Sequence, residues 1–137
     1  MNIKNIVSVS GLSGLYKLVA TKTNGLLVAD PDTGKTKFCS VRQHQFTPME
    51  TVAIYTYEDT VEITKVFQNM LDKQTDMPVP SPNGSHKELQ KYFEVIIPDY
   101  DRERVFHSDM KKIIKWFTFL NDRGYLTKEA DKSNEEE

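Results

Sequence analysis

The spacing of apolar residues changes once along the chain, near residue 58, and this change limits the fold to a β part followed by a helical part. Before residue 58, short runs of β-branched and aromatic residues alternate with turn residues, which is typical of strands. After it, apolar residues recur every three or four positions, which is typical of amphipathic helices. The sequence therefore predicts an α+β fold: a small five-stranded antiparallel SH3-like barrel or bent sheet, followed by three helices.

Turn residues divide the β part into strands. Asn24-Gly25 stands between two apolar runs, and this pair favours a hairpin because both residues tolerate positive φ. Residues 30–34 combine Asp, Pro and Gly and predict the next turn. The five strands predicted on this basis cover residues 6–9, 15–21, 26–29, 35–41 and 52–56.

Capping residues and prolines divide the helical part. Asp59 or Thr60 is the predicted cap of the first helix, Ser85 with Glu88 forms a capping box for the second, and Ser108 or Asp109 caps the third. Gly124 is the predicted stop of the third helix. The predicted organisation is a small β-barrel-like domain at 1–57, a helix packing on it at 58–75, a linker at 76–84, a helical segment at 85–126 and a disordered acidic tail at 127–137.

Composition indicates a cytoplasmic protein. The 137 residues include a single cysteine, Cys39, so the chain has no internal disulfide and requires no oxidising compartment. We find no signal-peptide pattern at the N-terminus and no apolar run close to the ~18 residues of a membrane span, so we expect no membrane partner. The net charge of −2 does not demand a nucleic-acid partner.

Two fragments resemble ligand-binding motifs but lack the rest of each motif. Residues 34–36 (Gly-Lys-Thr) match the end of a phosphate-binding loop, yet Ala29 replaces the first glycine and a strand is predicted to follow. Acidic residues alternate over 99–103 like the start of a calcium loop, but Arg104 occupies the position that requires glycine. We interpret both fragments as turns, with local charge pairing and capping in the second.

The remaining chemistry-bearing side chains form no recognisable constellation. No histidine has a second ligand at metal-binding spacing, and Cys39, in a predicted strand, is expected to behave as a small apolar residue. The sequence therefore predicts no catalytic residue, no cofactor and no metal site. An enzyme would need a deep pocket that gathers distant polar groups, near His44 or His107 for example.

Two surface features remain. Lys35 and Lys37 share one side of a predicted strand, with Lys17 or Lys22 expected near them, and a basic face on a small barrel can bind nucleic acid. We favour the simpler interpretation that these lysines protect a solvent face or a sheet edge.

The second feature is an apolar excess in the helical part. Beyond its inward stripe, the third helix carries Trp116 and Phe119, and the second helix adds Val95 and Ile97. Such residues either pack between two surfaces of the fold or form an exposed patch that binds a partner. The sequence does not separate these two explanations.

Four segments resemble a family of uncharacterised Bacteroidetes proteins that is defined as a domain of unknown function. The matching segments are residues 6–18, 52–56, 97–105 and 111–117, and the similarity covers residues 1–126. The resemblance implies a cytoplasmic bacterial protein with an N-terminal β domain and a helical C-terminal part. It implies no activity and no catalytic residue.

The leading hypothesis from the sequence is a non-catalytic interaction or scaffold protein. Its partner would be another protein or a second copy of the chain, contacted by Trp116, Phe119 and Tyr100. The alternative is a nucleic-acid-binding module that uses Lys17, Lys35 and Lys37.

Overall fold

The computed structural model describes residues 3–12 and 14–126, which form two compact units, 3–52 and 53–126. The first unit contains a five-stranded antiparallel sheet, and the second contains a two-stranded sheet and three helices. The α+β class predicted from the sequence is therefore confirmed. The division falls after Val52, five positions before the predicted domain end at residue 57. The acidic tail predicted at 127–137 lies outside the described residues.

The sheet of the first unit has the strand order β4-β3-β2-β1-β5, with antiparallel neighbours throughout. Its strands are β1 (Ile6–Val9), β2 (Leu15–Lys22), β3 (Gly25–Ala29), β4 (Thr36–Ser40) and β5 (Phe46–Pro48), followed by a 3-10 turn at Met49–Thr51. A bulge between Leu18 and Ala20 shifts the β2–β3 register, and bulges bend strands. Since β4 and β5 are the two edges, the sheet is open and a closed SH3-like barrel is not confirmed.

The fifth strand differs from the prediction. Residues 52–56 were expected to complete this sheet, but β5 is Phe46–Pro48, which pairs with β1. Strand β6 (Ala53–Tyr55) instead pairs with β7 (Thr60–Glu62) in the second unit. The prediction was wrong because a short apolar run shows that a strand forms but not which strand it pairs with.

The two hairpin turns form at the predicted positions. Gly25 pairs with Lys22 in the ladder, so the first turn is centred on Thr23 and Asn24. Gly25 does not adopt positive φ, and glycine is needed there because a Cβ would overlap the carbonyl of Cys39. In the second turn, the Asp30 carboxylate accepts the amide of Asp32 at 2.7 Å, and Gly34 has φ +77°.

One face of the sheet carries the core of the first unit. This core contains Val7, Val9, Val28 and Cys39, with Leu12, Tyr16, Leu18, Leu26 and Phe46 packed against it. Cys39 is buried, which confirms its predicted role as a small apolar residue. Beside the sheet, the Nδ1 of His44 donates to the carbonyl of Ser10 at 2.7 Å and fastens the loop that leads into β5.

The second unit contains the three helices α1 (Ile63–Lys73), α2 (His86–Ile96) and α3 (His107–Asp122). The predicted cap at Asp59 or Thr60 was wrong, because Thr60 already pairs with Tyr55 in the β6–β7 ladder and α1 begins only after Glu62. All the predicted inward residues are buried: Ile63, Val66, Phe67, Met70 and Leu71 on α1, Leu89, Tyr92, Phe93 and Ile96 on α2, and Met110, Ile113, Ile114, Phe117 and Leu120 on α3.

The ends of α2 and α3 show why these helices begin and stop where they do. The Ser85 hydroxyl accepts the amide of Glu88 at 3.2 Å, as the capping box predicts. At α3, the Asp109 carboxylate accepts the amide of Phe106 at 2.9 Å, so Phe106 rather than Ser108 or Asp109 is the residue at the boundary. Gly124, with φ +79°, ends α3 as predicted. Within 3–12 and 14–126, no helix combines the length and apolarity that crossing a membrane requires.

Candidate functional site

The segment 97–105, which follows α2, docks against the strand that contains Tyr55. Tyr100 forms a β-bridge with Thr56, the amide of Asp101 donates to the carbonyl of Tyr55 at 2.8 Å, and the amide of Tyr57 donates to the carbonyl of Asp99 at 3.1 Å. Side chains alternate along an extended strand, and the buried Thr56 separates the exposed Tyr55 and Tyr57. The two tyrosines therefore stand side by side on the outer face.

Two arginines of this segment cover the two tyrosines. The guanidinium carbon of Arg104 lies 4.7 Å from the ring centre of Tyr55. That of Arg102 lies 4.4 Å from the ring centre of the buried Tyr100 and 5.8 Å from the ring centre of Tyr57. Tyr55 and Tyr57 nevertheless remain 47% and 56% exposed. We name Tyr55, Tyr57, Arg102 and Arg104 the tyrosine–arginine surface. Stacking of this kind favours a fixed geometry for both partners.

Hydrogen bonds hold both arginines in place. Arg102 donates to the hydroxyl of Tyr57 at 3.2 Å and to the carbonyl of Tyr100 at 2.9 Å, and it lies 3.7 Å from the carboxylate of Glu94. Arg104 donates from Nε to the Asp101 carboxylate at 2.8 Å. These bonds orient the two guanidinium groups before any partner arrives.

The charges of the surface are stabilised in their ionised forms. The hydrogen bond from Arg104 and, next, the amide of Glu103 lower the pKa of Asp101 below its ordinary value. The hydrogen bond to Tyr57 is the main cause that raises the pKa of Arg102. Asp101 is thus engaged by an arginine, which confirms the local charge pairing that we predicted in place of a calcium loop. Among the residues that the structure describes, no group of three His, Cys, Asp or Glu side chains could hold a metal ion.

A cleft of about 350 Å³ lies beside this surface, in the same unit. Its polar lining includes Glu58, Asp59, Lys65, Asn69 and Asp99. The lining of the cleft includes neither His44 nor His107, the histidines that the sequence analysis considered for an enzyme site, and it has no imidazole or thiol.

His107 contacts a second histidine instead of the cleft. Its ring stacks on that of His86, with the ring centres 5.0 Å apart and the planes inclined by 27°. The Nε2 of His107 is buried without a hydrogen-bond partner in the described part of the chain. Nearly parallel rings direct their in-plane lone pairs along separate lines, so this pair does not converge on one metal ion as zinc ligands do.

The three residues predicted to contact a partner lie in different environments. Trp116 and Phe119 are half-buried on α3, and the guanidinium carbon of Arg123 lies 3.6 Å from the ring centre of Phe119. Tyr100 is 1% exposed and packs edge-on against Phe93, so its assignment as a contact residue was wrong. The sequence placed it in a turn, whereas its bridge to the neighbouring strand turns the ring into the core.

The three predicted lysines do not share a face. Lys17 pairs across the sheet with Ala29, which pairs with Thr36, whereas Lys37 pairs with Val28. Neighbouring residues of a strand point to opposite faces, so Lys17 lies on the face opposite to Lys37 and to Lys35 two positions before it. The predicted basic face of Lys17, Lys35 and Lys37 was therefore wrong, because cross-strand register decides it and one strand's sequence does not.

The sequence analysis missed the tyrosine–arginine surface. Its signal is the alternation within residues 53–57, in which Ile54 and Thr56 are buried and the tyrosines between them are exposed. That pattern was assigned to the fifth strand of the β domain. No local pattern links it to Arg102 and Arg104, more than forty positions further along the chain.

Comparisons with known proteins identify the two parts of the chain. Residues 3–49 match the family model described as a domain of unknown function, DUF5606, and residues 52–120 match a second one, DUF6852. A solution NMR structure of a Bacteroides vulgatus protein, a structural-genomics target, is similar at 30% identity and a TM-score of 0.73, over 89% of this chain and 87% of that one. No curated protein matches the chain. The chain therefore belongs to the family defined by DUF6852, here preceded by DUF5606, which confirms the resemblance found in its sequence.

Proposed function

We propose that this protein is a non-catalytic protein-interaction module and that the tyrosine–arginine surface is its contact site. The observation that carries the proposal is the pair of adjacent tyrosines, Tyr55 and Tyr57, each about half exposed, the first with Arg104 over its ring and the second hydrogen-bonded to Arg102. Tyrosine and arginine are enriched at the energetic centres of protein interfaces.

The geometry favours binding because the surface is ordered in advance. Association ordinarily costs about 0.5–1.5 kcal/mol for each flexible side chain that becomes fixed. Here Arg102 is already bonded to Tyr57 and to a backbone carbonyl, and Arg104 to Asp101. A partner that covers the two rings therefore gains apolar contact at a small entropic cost.

The surrounding charges favour a protein over a nucleic acid. Glu94 lies beside Arg102, and Glu58, Asp59 and Asp99 line the neighbouring cleft. Phosphate groups would meet these carboxylates, whereas a protein can present charges of both signs. The nucleic-acid alternative also loses support because its three lysines are divided between the two faces of a sheet.

A cytoplasmic location is part of the proposal. It is supported by a chain whose single cysteine is a free thiol buried in the first unit. Disulfides are rare in the cytosol, and this chain does not use one to stabilise its fold.

The proposal is tested by isolating partners on tagged variants of the full chain. We compare the wild type with Tyr55→Ser/Tyr57→Ser, with Phe119→Ser on α3, and with Phe106→Ser as a matched control, since Phe106 is 60% exposed. Quantitative mass spectrometry measures the proteins retained from the native cells. Sedimentation of the purified chain at increasing concentration shows whether the partner is a second copy.

For the tyrosine variant, we expect the amount of retained partner, or the fraction of dimer, to fall by about tenfold or more, which corresponds to about 1.4 kcal/mol. For Phe119→Ser and Phe106→Ser, we expect both quantities to stay at the wild-type level. If the tyrosine variant retains every partner of the wild type, the assignment is wrong. Loss confined to Phe119→Ser would place the contact on α3 instead. Tryptophan fluorescence of Trp116 checks that each variant is folded.

A further inference from the structure

Strand β4 lies at an edge of the five-stranded sheet. The amide of Asp30 donates to the carbonyl of Lys35 at 2.9 Å, and the amide of Val41 donates to the carbonyl of Asn24 at 2.9 Å. In an antiparallel pair, residues alternate between facing the neighbouring strand and facing away from it. These two bonds therefore show that Thr36, Phe38 and Ser40 direct their backbone N–H groups away from β3.

The outward backbone groups of Thr36 and Phe38 have no partner within the described ranges 3–12 and 14–126. Both residues are also exposed. An edge with free donors and acceptors is a template for another strand. Peptides that bind by strand addition use such an edge for affinity and the side chains on either side of it for specificity.

The side chains beside this edge divide between the two faces of the sheet. Lys35 and Lys37 are exposed on one face. Phe38 lies on the other face, with its ring over Gly25, and is 49% exposed. A strand added beside β4 would thus meet positive charge on one of its faces and an aromatic ring on the other.

The positive charge of Lys35 and Lys37 indicates which kind of strand can bind at this edge. A second copy of β4 would bring two further lysines to the same face, and like charges across a strand pair are destabilising. An extended segment that alternates acidic and apolar residues places carboxylates opposite Lys35 and Lys37 and an apolar side chain opposite Phe38. The edge is therefore complementary to an acidic strand and repels its own copy.

We propose that the free edge of β4 binds an extended segment of a partner protein, in which acidic residues alternate with apolar ones, by adding it to the sheet as a sixth strand. This site lies in the unit 3–52, whereas the tyrosine–arginine surface lies in the unit 53–126. The two proposals therefore stand independently of each other.

The experiment titrates a short fluorescein-labelled peptide of alternating glutamate and valine with the full chain, followed by fluorescence anisotropy at low salt. We compare the wild type with Lys35→Glu/Lys37→Glu and with the control Lys4→Glu/Lys91→Glu, which changes the net charge equally at positions outside β4 and the two strands next to it. A peptide with lysine in place of glutamate tests the charge preference. A peptide N-methylated at its valines, whose N–H groups would face β4, cannot complete the ladder.

We expect saturable binding of the glutamate peptide to the wild type and to the control variant. The Lys35→Glu/Lys37→Glu variant should bind it at least about tenfold more weakly and should prefer the lysine peptide. N-methylation should abolish binding. The proposal is overturned if the labelled peptide shows no binding at about 1 mM wild-type chain, if both charge variants weaken binding equally, or if the N-methylated peptide binds like its parent.

Discussion

Replacing Tyr92 with phenylalanine should stabilise the helical unit. The Tyr92 side chain is 1% exposed, and its hydroxyl has no hydrogen-bond partner among the residues that the structure describes. A buried polar group without a partner costs about 1–3 kcal/mol, whereas removing one oxygen atom leaves only a small void. At neutral pH we expect Tyr92→Phe to raise the free energy of unfolding by about 1 kcal/mol.

The same substitution should change the response to alkaline pH. Burial raises the pKa of Tyr92 from 10.0 to about 12, so the folded protein keeps the phenol neutral while the unfolded chain begins to ionise near pH 10. The titration of Tyr92 therefore leaves the free energy of unfolding unchanged below pH 10 and lowers it as the pH rises from 10 to about 12. Each unit of pKa difference corresponds to about 1.4 kcal/mol, which sets the loss at about 3 kcal/mol at most. The free energy of unfolding of Tyr92→Phe should not show this decrease, because phenylalanine does not ionise.

Urea unfolding followed by Trp116 fluorescence measures both effects, because Trp116 lies in the same unit. Tyr16→Phe in the first unit is the matched control. Tyr100→Phe is a companion variant, since burial also raises the pKa of Tyr100. The reasoning is refuted if Tyr92→Phe lowers the free energy of unfolding by more than about 1 kcal/mol, which would mean that the hydroxyl makes a hydrogen bond.

Three further substitutions test other parts of the structure. Asp101→Asn should lower the free energy of unfolding at neutral pH and make it depend less on pH in the acid range, as measured by urea unfolding. The lowered pKa of Asp101 stabilises the fold above the ordinary pKa of an aspartate, and this stabilisation is lost as the pH falls through the lowered pKa. An unchanged acid profile would contradict the Arg104 contact. Gly25→Ala should lower the free energy of unfolding by about 1–3 kcal/mol, because the added Cβ meets the Cys39 carbonyl. The decrease is seen as a lower melting temperature, and an unchanged melting temperature would contradict that close approach. Ser85→Ala should lower the free energy of unfolding in urea by about 1 kcal/mol, whereas Ser85→Asp keeps the cap and should not. An equal decrease in both variants would show that capping is not the cause.

The helices could be predicted in detail because their signals are local. The helix cap at Ser85, the stop at Gly124 and the three inward stripes all depend on residues within a few turns of each other. The start of α1 was missed because Thr60 suits two local structures: it can cap a helix, but it pairs with Tyr55 in a strand ladder.

The strands show the same limit more strongly. The existence of most strands follows from alternation and turn residues, but the partner of Ala53–Tyr55 does not, because an apolar run does not specify which strand it pairs with. The predicted basic face was wrong because the sequence does not specify the register between strands either. Lys35 and Lys37 share a side as their spacing requires, whereas the position of Lys17 depends on the register of three strands.

The candidate site could be predicted least. Aromatic residues were recognised as contact candidates, but sequence alone did not show that Tyr100 turns into the core while Tyr55 and Tyr57 remain exposed. The arginines that order these rings come from a separate segment, and their contacts exist only after the segment 97–105 has docked.

The affinity of the purified chain for its isolated protein partner is the most direct test of the proposed function. Isothermal titration should show that Tyr55→Ser and Tyr57→Ser each weaken binding by about 30-fold or more, which corresponds to the 2 kcal/mol of an interface hot spot. Phe106→Ser should stay within about threefold of the wild type. Wild-type affinity in both tyrosine variants would contradict the assignment of the tyrosine–arginine surface as the contact site.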